Sequence, residues 1–355
     1  MKTTVLKQLR HVGALVALIT FALSAVADSG SNHRVVSSLF GTSGGNINDI
    51  STLYCCSGTL GSLVQDDQGY QYILSNNHVL ARSNSGTPGD DISQPGLIDN
   101  QCQIPTVVAD LSAFPSLTTS NVDAAIALSR GIMSGTGEIM DIGTISRVVR
   151  APSVGMILQK SGRTTGHTTG PVSSISTTVM VQYQPRCGMG KKFRATFRNQ
   201  VVVNSSTFSA GGDSGSLMLS VPGAGGKPQP VALLFAGSST TTIGNPIGQV
   251  LSAVSQSIGR TITFVGSDTV SSATTVQSAG PAESIQLAHS AKERWADAFM
   301  SRPGVIGVGV GTTADGSEAA VVVYVDNMSP AQPALPARAD AAPVRIVFTD
   351  SFVAR

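Results

Sequence analysis

Short runs of apolar or alternating residues recur along most of the chain, separated by glycine, proline, asparagine and aspartate. Such runs predict β-strands, because neighbouring side chains on a strand point to opposite faces and the separating residues favour turns. The strands predicted in this way are 61–64, 70–75, 106–111, 179–183, 200–203, 217–219 and 231–235. Their close spacing indicates a barrel or sandwich and not alternating strand–helix units.

Two segments follow a helical period instead. Residues 246–254 predict a short amphipathic helix that closes the strand-rich unit. Farther along, four residues share one face of a second predicted helix: Ala288, Ala291, Trp295 and Phe299. Three more strands are expected, at 305–311, 319–325 and 344–348. These later elements predict a small α+β module.

The small, polar residues 266–283 between the two parts are typical of a linker. The chain is therefore divided into a tail at 28–40, a strand-rich unit at 41–265, the linker, and the α+β module at 284–355. We expect the module to fold separately, because a linker precedes it. We also expect it to be dispensable for chemistry, because no candidate catalytic residue lies beyond the linker.

Residues 1–27 have the pattern of an export signal. Basic residues precede an apolar run from Val12 to Val26, and Ala-Val-Ala stands before Asp28 as a small-residue cleavage site. The run is too short and too poorly flanked for a membrane anchor. We expect an exported protein, periplasmic or extracellular, with no membrane association after signal removal.

The charge balance excludes some partners. The formal net charge is +2 and charged residues make up 12% of the chain, so no strong field would attract nucleic acid or anionic membranes. The glycine-spaced run 307–311 lacks the lysine and the following helix of a phosphate loop, and is predicted as a strand. We expect a monomer without a cofactor.

Four cysteines occur, at Cys55, Cys56, Cys102 and Cys187. An even number in an exported chain indicates disulfides. Adjacent residues of a strand point to opposite faces, so Cys55 and Cys56 should reach different partners. Cys102 and Cys187 are the expected partners, with both pairings open. Because the spacing contains no Cys-x-x-Cys, no metal site is expected.

The most informative run for chemistry is 210–216, Ala-Gly-Gly-Asp-Ser-Gly-Ser. Glycines around Ser214 allow a tight turn and let a substrate carbonyl approach main-chain N–H groups. Such a run is common by chance in a chain rich in glycine and serine. His78 at a strand end and Asp123 farther along give it weight, because the order His, Asp, Ser is one in which a base and its orienting acid precede a nucleophile.

These motifs resemble those of bacterial trypsin-like serine proteases of the chymotrypsin fold, with the closest motifs in the α-lytic protease and streptogrisin group. The segments that carry the resemblance are 56–61, 72–80, 161–166, 210–216 and 231–237. It covers roughly residues 40–262. The resemblance implies an all-β, chymotrypsin-like double six-stranded β-barrel, and a secreted serine endopeptidase acting on peptide or protein substrates. The α+β module resembles a small domain that accompanies some bacterial members.

The resemblance also assigns roles. Ser214 would be the nucleophile, His78 the general base and acid, and Asp123 the group that orients the imidazole. The N–H groups of Gly212 and Ser214 would form the oxyanion hole. The expected substrate-binding residues are Phe208, Ser209, Phe235, Ala236 and Gly237. None of these is a carboxylate, which favours a small or apolar residue before the scissile bond.

A last expectation concerns Asp213. In animal enzymes of this fold the matching aspartate pairs with a new N-terminus, but nothing in 28–40 resembles the Ile-Val-Gly-Gly start that this needs. A buried carboxylate without a partner costs several kcal/mol. The bacterial group uses the arginine of the run 161–166, so we expect an Arg163–Asp213 ion pair.

Two other functions stay open. A non-catalytic relative used as a binding or scaffold protein would usually have lost a member of the triad. A serine esterase on an α/β-hydrolase fold would need the order Ser, Asp, His and the run Gly-x-Ser-x-Gly, whereas residue 216 is serine. Labelling with a fluorophosphonate and cleavage of esters or peptides distinguishes the three.

Overall fold

Antiparallel strands dominate the computed structural model, which describes residues 31–268 and 282–354. The predicted signal peptide and the linker residues 269–281 lie outside the described residues. The helices are α1 Asn77–Leu80, α2 Ile247–Ile258 and α3 Ala282–Met300, with 3₁₀ helices at Ser31–Arg34 and Leu97–Asn100. The amphipathic helix predicted at 246–254 corresponds to α2 and is confirmed.

The first sheet forms a closed barrel. Its strands are β1 Thr42–Asn46, β2 Gly58–Leu60, β3 Ser62–Gln65, β4 Gln71–Ser75, β5 Asp91–Gln94, β6 Thr106–Ala113 and β7 Ala125–Ser129. Only Gly61 separates β2 from β3, so they act as one bent strand. The ring of pairings then runs from this strand through β4, β7, β6, β5 and β1 back to β2. The result is a six-stranded antiparallel barrel.

The second sheet contains another closed ring. Its strands are β8 Ile157–Gly162, β9 Gly166–Tyr183, β10 Phe193–Asn204, β11 Leu217–Ser220, β12 Pro230–Gly237 and β13 Thr241–Pro246. They pair in the order β8, β9, β10, β13, β12, β11 and back to β8. The expected double six-stranded barrel is therefore confirmed, and β14 Thr263–Phe264 returns to pair with β3.

The last part of the chain extends the second barrel. Its strands are β15 Val305–Thr312, β16 Ala319–Asp326, β17 Arg338–Ala339, β18 Ala342–Thr349 and β19 Val353–Ala354. β15 pairs antiparallel with β9, placing Gly307 opposite Val179, and β19 pairs with both β12 and β9. Helix α3 covers one side of β15 and β16 through Ala288 and Phe299.

Sheet and core are thus shared between the two parts. Ile306, Tyr324 and Phe352 pack in one buried cluster with Val179 and Phe235 of the second barrel. Shared hydrogen bonding and shared apolar burial speak against the expectation that the α+β module folds separately. The boundaries 41–265 and 284–355 remain a prediction.

We expect a variant truncated after Asp268 to be much less stable than the full chain. Truncation removes β15 from the edge of β9 and uncovers Val179 and Phe235, and a fully buried side chain of this kind contributes about 1.5–3 kcal/mol. Urea unfolding followed by circular dichroism compares the two proteins. Unfolding at the same urea concentration would show that the module is separable after all.

Candidate active site

His78 and Asp123 form a hydrogen-bonded pair at the ends of two neighbouring strands. β4 and β7 pair with Ser75 opposite Ala125, which brings the residues after β4 beside those before β7. His78 Nδ1 lies 2.6 Å from Asp123 Oδ2, and the main-chain N–H of His78 donates to Asp123 Oδ1 at 3.2 Å. The carboxylate is fully buried and the imidazole is 13% exposed. This arrangement fixes the orientation of the imidazole ring.

Tyr183 completes the surroundings of the Asp123 carboxylate. Its hydroxyl, at the end of β9, donates to Asp123 Oδ2 at 2.9 Å. Burial, and then the neighbouring Asp123 charge, raise the pKa of Tyr183 well above its usual value, so the hydroxyl keeps its proton and remains a donor. The amide groups of Asn76 and Asn245 hold the main chain of Asp123 at 2.7 and 2.9 Å. In the sequence, Tyr183 marks only the end of a predicted strand, and no motif connects it with Asp123.

Ser214 lies in a turn of the second barrel that only glycine permits. Gly212 has a φ of +98°, and a Cβ atom there would lie 2.5 Å from Thr164 Oγ1. Ser214 itself is fully buried, and its hydroxyl donates to Phe235 O at 3.3 Å. The Ser214 hydroxyl thus joins the turn to the neighbouring strand β12.

Gly58 is the point at which the two barrels bring these groups together. A Cβ atom on Gly58 would lie 2.5 Å from Val79 Cγ2 and 2.9 Å from Ser214 O. The residue beside His78 and the main chain of the candidate nucleophile thus approach the same glycine. His78 also contacts Tyr183, with ring centroids 6.1 Å apart. The first barrel and the Ser214 turn thus meet at Gly58, and a triad of His78, Asp123 and Ser214 remains a prediction.

Asp213 is satisfied by Lys160, which lies outside the sequence motifs, and by donors within them. The buried Lys160 ammonium on β8 lies 3.5 Å from Asp213 Oδ2, and the Thr165 hydroxyl donates to the same oxygen at 2.7 Å. Main-chain N–H groups of Thr164, Thr165 and Ala210 donate at 2.8, 3.1 and 2.9 Å. Burial lowers the pKa of Lys160, and the Asp213 charge opposes that shift. A buried cation and several donors together compensate the buried carboxylate.

The predicted Arg163–Asp213 ion pair is wrong. Arg163 pairs with Asp99 of the first barrel instead, with Nε 2.6 Å from Oδ2 and Nη2 2.7 Å from Oδ1. Lys160 lies within β8 and its side chain is fully buried beside Asp213, whereas Arg163 follows the end of the strand and its side chain reaches across the barrel interface. The Asp213 carboxylate thus pairs with Lys160 of β8, and Arg163 links the two barrels through Asp99.

The expected substrate-binding residues do not all face a cleft. Phe208 is fully buried in an apolar cluster of the second barrel, and Ser209 is buried with its hydroxyl 2.6 Å from Thr242 Oγ1. Phe235 packs edge-on against Phe197, with ring centroids 5.0 Å apart. At Ala236 and Gly237, β12 pairs with β19 along one edge and with β13 along the other.

His78 also borders an open cleft. Its lining includes His78, Arg82, Ala354 and the cysteines Cys56 and Cys187. The disulfides are Cys55–Cys102 and Cys56–Cys187, which confirms that the adjacent cysteines reach different partners. The second disulfide joins a loop of the first barrel to the loop after β9, and so borders the cleft.

Neither a membrane helix nor a metal cluster occurs in the ranges 31–268 and 282–354. No helix there is long and apolar enough to cross a membrane. No group of three or more His, Cys, Asp or Glu side chains there could hold a metal ion.

Sequence comparison gives one partial relative. No family model matches the chain. Protein NARROW LEAF 1 from Oryza sativa subsp. japonica is 31% identical over 120 residues, which are 33% of this chain and 19% of that protein. The chain thus matches about a fifth of the length of this relative, so the relative's activity is not transferred to it.

Structural comparison finds chymotrypsin-like bacterial serine proteases. A glutamic acid specific serine protease that uses a histidine triad in substrate binding is 20% identical with a TM-score of 0.44, covering 64% of this chain and 99% of that one. Thermobifida fusca protease A is 16% identical with a TM-score of 0.41, covering 65% and 100%. Cellulomonas bogoriensis chymotrypsin is 16% identical with a TM-score of 0.40, covering 65% and 99%. These likenesses concern the fold alone.

The Lys160–Asp213 contact predicts a large stability effect. Lys160→Met leaves the buried carboxylate without its cation, and we expect a loss on the order of 3–5 kcal/mol in the free energy of unfolding. Arg130→Met is the matched control, because Arg130 pairs with Asp91 and Asp110 but is 41% exposed. A surface pair of this kind contributes about 0–1 kcal/mol. Urea unfolding measures both variants, and equal losses would contradict the assignment.

Proposed function

We propose that the protein is an exported serine endopeptidase that hydrolyses peptide bonds through His78, Asp123 and Ser214. The single observation that carries the proposal is the 2.6 Å contact between His78 Nδ1 and the buried Asp123 carboxylate, in a chain that also carries a serine in a glycine turn. A buried carboxylate on the imidazole is the arrangement by which a histidine is made a competent base for a serine hydroxyl. A histidine at a strand end without a catalytic role would not need a buried carboxylate on its imidazole.

In this proposal the chemistry proceeds in two steps. Ser214 Oγ attacks the substrate carbonyl as His78 accepts its proton, because the hydroxyl alone is a weak nucleophile near neutral pH. Asp123 holds the imidazole in one tautomer and stabilises the imidazolium. His78 then gives the proton to the leaving amine, and water releases the acyl group by the same route. The substrate amine leaves first and the acid follows.

The oxyanion would be stabilised by the N–H groups of Gly212 and Ser214. The positive φ of Gly212 supports this, because it lets the main chain of the turn approach a ligand without a Cβ atom in the way. A donor of this kind lowers the barrier by roughly 3–4 kcal/mol. The residue before the scissile bond would be small or apolar, bounded by Ser209 and by the edge Phe235–Gly237.

Export and the substrate class belong to the same proposal. The chain has two disulfides. Disulfides form most readily in an oxidising compartment, which supports the periplasm or the medium. Peptides or proteins are the proposed substrates. An α/β-hydrolase esterase needs a parallel sheet, whereas both barrels are antiparallel rings. One observation favours the non-catalytic alternative, namely the full burial of Ser214.

Replacement of the nucleophile tests the proposal directly. Ser214→Ala should remove labelling by a fluorophosphonate probe and reduce peptide turnover on the order of 10⁶-fold. Ser216→Ala is the matched control, because Ser216 lies in the same turn and only donates to Asp213 O at 2.6 Å. A folded protein that takes up no label, both as the full chain and without residues 353–355, would establish the scaffold alternative.

Tyr183 should act as a positioning residue for the triad. Tyr183→Phe removes one hydrogen bond to the Asp123 carboxylate, and a bond to a charged group contributes about 1.5–3 kcal/mol. We expect roughly a tenfold or greater loss in kcat with little change in KM, measured over a pH range. Tyr324→Phe is the control, because Tyr324 is also fully buried but bonds Ser174 away from the site. Equal kinetics of the two variants would exclude the role.

A further inference from the structure

The edge of β12 beside Ser214 is already occupied by the chain itself. β19 pairs antiparallel with β12, with Ala354 opposite Ala236 and Val353 opposite Gly237. These two residues of β12 are among those expected to bind the substrate, and an extended peptide would pair with their main chain as a strand does. An extended peptide and β19 therefore require the same hydrogen-bonding groups.

The topology leaves no second edge for a substrate at this point. On one side, β13 pairs with Ala236 and Gly237 through Ile243 and Thr242. On the other side, β11 pairs with β12 only as far as Leu233. Beyond that point the edge of β12 is open to another strand, and β19 takes it. A strand has two edges, so β13 and β19 together occupy both edges of β12 at Ala236 and Gly237.

The direction of β19 leads into the active-site cleft. Phe352 lies in the buried cluster with Phe235 and Tyr183, and Ala354 lines the same cleft as His78. From Phe352 the segment thus runs along β12 towards His78, the candidate base. Ser214 is fully buried in this arrangement.

Residues 350–352 form the anchor of the segment and are held by buried contacts and hydrogen bonds. Residues 353 and 354 form its tip and are held less firmly. Phe352 is 1% exposed, contacts the Tyr324 ring at 5.8 Å between centroids, and accepts a hydrogen bond from Gln182 N at 2.9 Å. Asp350 accepts hydrogen bonds from the main chain and hydroxyl of Ser239 at 3.0 and 2.5 Å. By contrast, Val353 is 37% exposed. The tip can therefore leave β12 without unfolding the anchor.

We propose that Val353–Ala354 is a substrate-mimicking segment that closes the peptidase by occupying the pairing edge of β12. This inference rests on the proposed endopeptidase function. A tethered segment is present at an effective concentration in the millimolar range, so even weak pairing keeps it in place. An extended peptide with small or apolar side chains competes for the edge, and the strands of the α+β module hold the segment at the site.

Two variants and one peptide test the inference. A protein truncated after Phe352 keeps the anchor and loses the tip, and Val353→Pro removes a main-chain donor from the pairing. Val353→Ala is the control, because it keeps the donor. We expect the first two to cleave a peptide substrate with kcat/KM at least tenfold above the full chain, mainly through a lower KM. Val353→Ala should match the full chain.

The peptide of residues 349–354 should inhibit the truncated protein competitively with substrate. This measurement keeps the inference testable even if Val353→Pro fails to fold. Equal kcat/KM in the full chain and the truncated protein, with no inhibition by the peptide, would overturn the inference and leave the proposed function intact. If neither protein cleaves peptides or takes up a fluorophosphonate on Ser214, the proposed function falls, and this inference falls with it.

Discussion

The contact between the Ser214 turn and the first barrel is the constraint on which the candidate site depends. Thr59 N donates to Ser214 O at 2.7 Å, and Thr59 Oγ1 donates to Gly212 O at 2.9 Å. A Cβ atom at Gly61 would collide with Gly215 O, so the strand can approach the turn only with glycine there. His78 and Asp123 belong to one barrel and Ser214 to the other. Loosening this contact would move Ser214 away from His78 and Asp123.

Two buried carboxylates on either side of this contact are satisfied in different ways. Asp123 has hydrogen bonds from His78 and Tyr183, and its charge is available to an imidazolium. Asp213 has the buried Lys160 ammonium together with main-chain donors. An unpaired buried charge is costly, so the cation and donors around Asp213 hold its turn in place. The surroundings of Asp123 are those that the proposed function needs, because its carboxylate contacts an imidazole and a tyrosine hydroxyl.

The sequence predicted those features that local pattern determines. Strand periodicity and turn residues predicted a barrel or sandwich, the resemblance to bacterial serine proteases implied the double barrel, and opposite faces of a strand predicted the different partners of Cys55 and Cys56. The sequence did not show which residues or strands far apart in the chain pair with each other. Whether Lys160 or Arg163 reaches Asp213 depends on which side chain points into the barrel, and both stand near the end of one strand. The pairing of β15 with β9 was also missed, because residues 266–283 have the composition of a linker, and composition does not show which sheet edge a later strand joins.

The open edge of β12 explains why the last part of the chain is joined to the second barrel. An edge that can accept a peptide substrate is also an edge on which other chains can aggregate. β13 covers one side of β12 at Ala236 and Gly237, and β19 covers the other. β15 extends the same sheet at β9, which places the anchor at Phe352 within reach of β12. In the inference drawn above, β19 covers this edge while the site is closed, and the sheet that β15 and β19 share with the second barrel holds it there.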